Sequence, residues 1–195
     1  MSIIYRDDSD KMVHQVWAQQ QANSCAVASI WMARNQAFQM TFAEDEWALA
    51  WRMYGQVVQG MDFVPQAPAG MTLDPRAHQP NQNTFQNMFA SAGTFMGQVA
   101  QAIRNDGLKV THLTGFSPGT TIAPSRLSDT NPAIVLLGWY NGNTRNGGHF
   151  IVASRQTRSG QIVYLDPWEG QLRELGTGPQ YQSTGRFEQI LYLSA

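Results

Sequence analysis

The sequence predicts an α+β fold, on two observations. The first half carries Ala-rich stretches with apolar residues at helical spacing, and the second half carries short apolar, β-branched runs punctuated by Asn, Gly and Pro. The helical segments come first and the strand-like runs follow in antiparallel-looking succession. A length of 195 residues suits a single domain, 1–195, with a mainly helical half over about 19–107 and a mainly β half over about 108–195.

Residues 12–18 partly alternate and are expected to be extended. Asn23 or Ser24 then offers an N-cap to a helix over Cys25–Phe38, with Val27, Ile30, Trp31 and Phe38 on one apolar face. Cys25 falls in the first turn of that amphipathic helix. Thr41 and Glu44 make a capping box for a second helix over 41–54. Residues 55–83, dense in Gly, Pro and Gln, read as a long irregular excursion of the kind that forms lids or binding loops. A third helix is expected over 84–105, weakened by Gly93 and Gly97 and stopped by Gly107. Strands follow at 108–113, 133–140, 150–154, 161–165 and 186–193. Between them, 141–148 reads as an Asn- and Gly-rich turn in which Arg145 is solvated, and Pro167 ends the strand before it.

Composition narrows the function. Hydrophobic residues make up 43% and charged residues only 14%, which excludes a disordered or charge-driven protein. Thirteen Lys and Arg balance fourteen Asp and Glu, so no basic excess points to a nucleic-acid partner. One cysteine supplies neither an internal disulfide nor a Cys-rich zinc site. His14, His78 and His112 have no partner at metal-ligand spacing, so neither a metal nor another cofactor is expected. The N-terminus lacks the basic and apolar regions of a signal peptide, and no run of about 18 apolar residues marks a membrane span. The expectation is a protein of the cytoplasm, or one exported without a signal peptide and delivered into target cells.

Three positions carry chemistry. Cys25 opens a helix, His149 follows Gly147-Gly148 and opens a strand, and Asp166 ends the next strand ahead of Pro167-Trp168. Adjacent antiparallel strands would bring His149 and Asp166 side by side, with the Cys25 helix packed against them. A cysteine attacks as its thiolate, which a helix N-terminus and an imidazolium both favour. A third group must orient the imidazole, and fixed donors must meet the developing oxyanion. Asp166 suits the first task; the Cys25 N–H and the Gln19 amide suit the second. Singly, a Cys in an Ala-rich helix is commonly core, and Asp-Pro after a strand is commonly a turn. Their conjunction favours catalysis.

The pattern Gln19-x5-Cys25-Ala-Val-Ala, Gly148-His149-Phe-Ile-Val-Ala and Asp166-Pro-Trp168 resembles the papain-like cysteine peptidases, and within them the bacterial double-glycine, bacteriocin-processing branch and related effector proteases. Where that branch often has Asp-Cys-Gly, this protein has Ser24-Cys25-Ala26. The resemblance covers the order of elements through 12–170. It implies a papain-like fold, a Cys25–His149–Asp166 triad with Gln19 at the oxyanion, and cleavage of a protein or peptide substrate through a thioester, after Gly-Gly or other small residues. Trp168, and Trp139 or Tyr140, would wall the cleft. It also implies a bacterial effector or toxin setting and an immunity-type inhibitor as partner. The alternatives are a cell-wall amidase, deamidase or transglutaminase on the same fold, or a non-catalytic binding module.

Overall fold

The computed structural model describes residues 3–20, 23–43, 46, 49 and 94–195. Among the described residues the architecture is α+β, with two α-helices of defined bounds and a large antiparallel sheet. In sequence order the elements are β1 (Ile3–Asp7), β2 (Val13–Trp17), α1 (Cys25–Phe38), α2 (Met96–Asn105), β3 (Lys109–Leu113), β4 (Ala133–Asn141), β5 (Thr144–Gln156), β6 (Ile162–Asp166), β7 (Gln171–Leu175), β8 (Gln180–Tyr181) and β9 (Gly185–Ser194). The strands β1 and β2 form a separate hairpin. The other seven form one sheet in the order β3-β9-β4-β5-β6-β7, with β8 also paired to β9. Every pairing is antiparallel.

Strand alternation sends side chains to two apolar faces. Ile134, Leu136, Phe150, Val152, Val163 and Leu165 point to α1 and α2. Ala133, Val135, Leu137, Ile151, Ile162 and Tyr164 point the other way, to a second cluster with Tyr181 and Phe187. The predicted bounds of α1 match the observed helix. Its amphipathic character does not: Ala26 to Asn35 are all buried. The reason is coverage from both sides. The sheet packs on one flank, and on another the β1–β2 hairpin brings Trp17 edge-on to Trp31 with centroids 4.6 Å apart. The Trp31 indole N–H donates to the Phe42 carbonyl at 3.1 Å.

The extended reading of 12–18 and the strands at 108–113, 133–140, 150–154, 161–165 and 186–193 correspond to β2, β3, β4, β5, β6 and β9. Three expectations need correction. The segment 141–148 is a turn only at its start: Gly142 takes φ of 59° in a tight connection, and Thr144–Gly148 already belong to β5. His149 therefore lies within a strand rather than opening one. The helix expected over 84–105 begins at Met96, because Phe95 is extended and donates its N–H to the Gln98 side chain at 2.9 Å. Gly107, at φ of 86°, ends it as expected. Of the helix expected over 41–54, residues 41–43 are non-helical, while Glu46 and Leu49 are helical. Its remaining residues, the excursion over 55–83 and residues 84–93 lie outside the described residues. Among the described residues no helix is long and apolar enough to cross a membrane.

Candidate active site

The strands β5 and β6 are neighbours, and His149 and Asp166 share the face that Ile151 and Tyr164 occupy. The pairing that holds the sheet together thus also brings the imidazole to the carboxylate. His149 Nε2 lies 2.7 Å from Asp166 Oδ1, with both side chains buried. Asp166 accepts two further bonds: the Trp168 backbone N–H to Oδ1 at 2.8 Å and the Tyr181 hydroxyl to Oδ2 at 2.7 Å. Burial opposes its ionisation, but the hydrogen bonds from His149, Tyr181 and Trp168 outweigh it and hold the carboxyl below its usual range.

Cys25 is half-buried at the N-terminus of α1, where the Ala28 N–H closes the first turn on the Ser24 carbonyl at 3.0 Å. Ser24 occupies the N-cap position, but its hydroxyl makes no capping bond. Burial alone would push the His149 imidazole down; the bond to Asp166 and the interaction with Cys25 reverse that and raise it from 6.5 to about 9. With Nε2 engaged by Asp166, Nδ1 is the ring nitrogen left for the thiol. The result is one cluster, Cys25, His149, Asp166 and Tyr181, drawn from α1, β5, β6 and β8, in which Asp166 is hydrogen-bonded to both His149 and Tyr181.

Two indoles enclose the imidazole. Trp139 stacks on it at 6.0 Å and 25°, and Trp168 meets it edge-on at 6.5 Å and 83°. Both line a cleft of about 750 Å³ that also contains Asn23, Cys25, Phe95, Phe116 and Arg173. Tyr140, the other candidate wall, instead donates its hydroxyl to Glu188 at 2.6 Å. Arg145 is not merely solvated: its Nε and Nη2 clasp the buried Glu188 carboxylate at 2.7 and 2.9 Å. Gly138 and Gly148 make room for this cluster. A Cβ at Gly138 would collide with Glu188, and one at Gly148 would lie 2.7 Å from Arg145 Nη2.

Gln19 is half-buried, and its backbone N–H donates to the Pro167 carbonyl at 2.9 Å, one residue from Asp166. Gln19 is not among the residues that line the cleft, whereas Asn23, two positions before Cys25, is. Sequence reasoning misses the places of Asn23, Tyr181, Glu188 and Arg173 at the site. Asn23 reads there only as a cap, and Tyr181 sits in the polar run Gln-Tyr-Gln-Ser-Thr, with no periodicity to mark it.

His14 does have a partner. Its Nε2 lies 3.0 Å from Asp8 Oδ2, which also accepts from Arg155 at 2.7 Å. Asp8 resists burial through bonds from His14, the Met12 N–H and Arg155, and its carboxyl falls to about 2. This second Asp–His pair lies within the β1–β2 hairpin, and Arg155 of β5 ties the hairpin to the sheet through Asp8 and Asp10. Among the described residues no cluster of three or more His, Cys, Asp or Glu side chains is arranged to hold a metal ion. No family model matches the sequence, and no curated protein matches it.

Proposed function

We propose that the protein is a papain-like cysteine protease. The observation that carries this reading is the convergence of Cys25 with the hydrogen-bonded His149–Asp166 pair in the wall of one cleft, assembled from three elements. Cys25 Sγ attacks the scissile carbonyl carbon while its proton resides on His149 Nδ1. Asp166 holds the ring and stabilises the imidazolium. The Cys25 N–H at the start of α1 supplies one donor for the oxyanion, and the second is an amide from the segment ahead of it, Asn23 in the cleft lining or Gln19. His149 then protonates the leaving amine, leaving a thioester on Cys25. The same imidazole next takes a proton from water, whose oxygen attacks the thioester and releases the acid and the thiol.

The substrate is a polypeptide, cut after Gly-Gly or other small residues. Phe95, Phe116 and Trp168, which are 62%, 58% and 54% exposed, rim the cleft and suit an extended peptide. The setting that goes with this reading is that of an effector or toxin, with an inhibitor protein that plugs the cleft. The test is the identification of new protein N-termini in cells expressing wild type or Cys25→Ala. Cleavage that depends on Cys25 is the expected result. Native protein whose Cys25 resists a thiol alkylator would overturn the reading, and ammonia release without peptide-bond cleavage would replace it with a deamidase.

A further inference from the structure

The two ends of the cleft differ in chemistry, and His149 divides them. The imidazole that protonates a leaving amine must lie on the leaving-group side of the attacked carbonyl. From Cys25, that side runs past His149 towards Trp168 and β7. The opposite side, along Phe95, Met96 and Phe116, is apolar.

On the β7 side the register places Gln171 opposite Asp166 and Arg173 opposite Tyr164, so both side chains share the face of the site. Both line the cleft, with Gln182 beside them. Arg173 is half-buried, and such a guanidinium is ordinarily balanced by a carboxylate. Arg34 and Arg155 follow that rule, at 3.1 Å from Asp106 and 2.7 Å from Asp8, and Arg145 has Glu188. Arg173 Nη2 donates to the neutral Gln171 Oε1, and its buried Nε meets no acceptor among the described residues. Among the described residues it forms no ion pair. A cation is thus kept in the cleft wall without a carboxylate partner among the described residues.

We propose that Arg173, flanked by Gln171 and Gln182, is a subsite for a carboxylate on the leaving-group side of the substrate. The proposal rests on the protease reading for which side is the leaving-group side, and not for the anion binding itself. The carboxylate can come from an acidic side group or from a free C-terminus, and three product-like peptides separate these: H-Ala-Glu-Ala-NH2, H-Ala-Gln-Ala-OH and H-Ala-Gln-Ala-NH2. Their binding to the Cys25→Ala protein is measured by NMR titration, which requires no turnover.

At least one carboxylate-bearing peptide should bind about tenfold more tightly than the carboxylate-free one, the scale of one charge-assisted hydrogen bond. The advantage should shrink at high salt. It should vanish in Arg173→Gln and be partly retained in Arg173→Lys. Equal binding of all three peptides overturns the proposal, as does an advantage that survives Arg173→Gln. If Arg173→Gln does not fold, a salt-independent advantage in the parent protein overturns it instead. Loss of Cys25-dependent cleavage with the anion preference intact would defeat the protease reading alone. Cleavage without the preference would defeat the subsite alone.

Discussion

Tyr181→Phe isolates the part of the site that lies beyond the triad. The substitution deletes one hydroxyl and keeps the ring, which packs 6.0 Å from Tyr164 and 6.4 Å from Phe187. It leaves Asp166 Oδ2 without its 2.7 Å donor in a site where Asp166 is 3% exposed. A hydrogen bond to a charged group contributes about 1.5–3 kcal/mol, so the variant should lose that much stability at neutral pH. The loss should depend on pH in a definite direction. The Asp166 carboxyl sits below its ordinary 3.8, so its contribution is complete above that value and disappears as pH falls through the folded-state value. Wild type and Tyr181→Phe should therefore differ most near pH 7 and converge in acid. Turnover should fall about tenfold, because His149 and the Trp168 N–H still hold the carboxylate. Urea denaturation at neutral and acid pH, paired with steady-state kinetics, measures both effects. A stability loss equal at both pH values would refute the charge-assisted bond and leave only ring packing. No loss at all would refute the contact.

The remaining predictions concern the triad and its surroundings. His149 titrates near 9 when folded against 6.5 ordinarily, so its contribution is complete below 6.5 and is lost as pH rises through 9. Between pH 6 and 10 the unfolding free energy should fall by about 3 kcal/mol in wild type and stay nearly flat in His149→Gln, measured by urea titration. Gln19→Ala and Asn23→Ala, compared by kcat, assign the oxyanion amide: loss of the donor should lower kcat by about 10²–10³, whereas Gln20→Ala should be nearly silent. Gln20 engages Glu46 through its backbone N–H at 2.9 Å, which the substitution retains. Gly138→Ala drives a methyl into the Glu188 carboxylate and the Tyr140 ring, and should cost about 1–3 kcal/mol in thermal or chemical denaturation.

Helix α1 is legible because its alanines and its apolar residues at helical spacing agree locally, although the Ser24 hydroxyl that suggests the cap makes no capping bond. His149 and Asp166 are legible because each belongs to a strong apolar strand whose alternation sets the side-chain direction. What escapes depends on partners distant in sequence. The all-round burial of α1 requires the hairpin that carries Trp17, and strand β1 alone exposes Tyr5, Arg6 and Asp7. The glycines at 147 and 148 read as a turn; Gly148 instead admits Arg145 to its strand, and Gly138 leaves space for Glu188. Strand β7, Gln-Leu-Arg-Glu-Leu, alternates too weakly to be read as a strand, so nothing marks Arg173. Tyr181 sits on a strand of two residues, too short for any periodicity to register.

The position of β9 between β3 and β4 also governs when the site gains its full support. Both flanking strands are synthesised before β9, yet neither pairs with the other: β4 has β5 on its far side, whereas β3 joins the sheet only through β9. Tyr181 leads into β9 and Glu188 lies on it, so the clasp on Asp166 and the buried partner of Arg145 arrive with that same segment. Closing a sheet by inserting a late strand is slow, since the loop entropy is lost before the contacts form. The β5–β6 pairing can join His149 to Asp166 beforehand, but the Tyr181 clasp on Asp166 and the Glu188 partner of Arg145 are added only as β8 and β9 close the sheet. On the protease reading, this ordering is a period of incomplete support for the site, written into the topology.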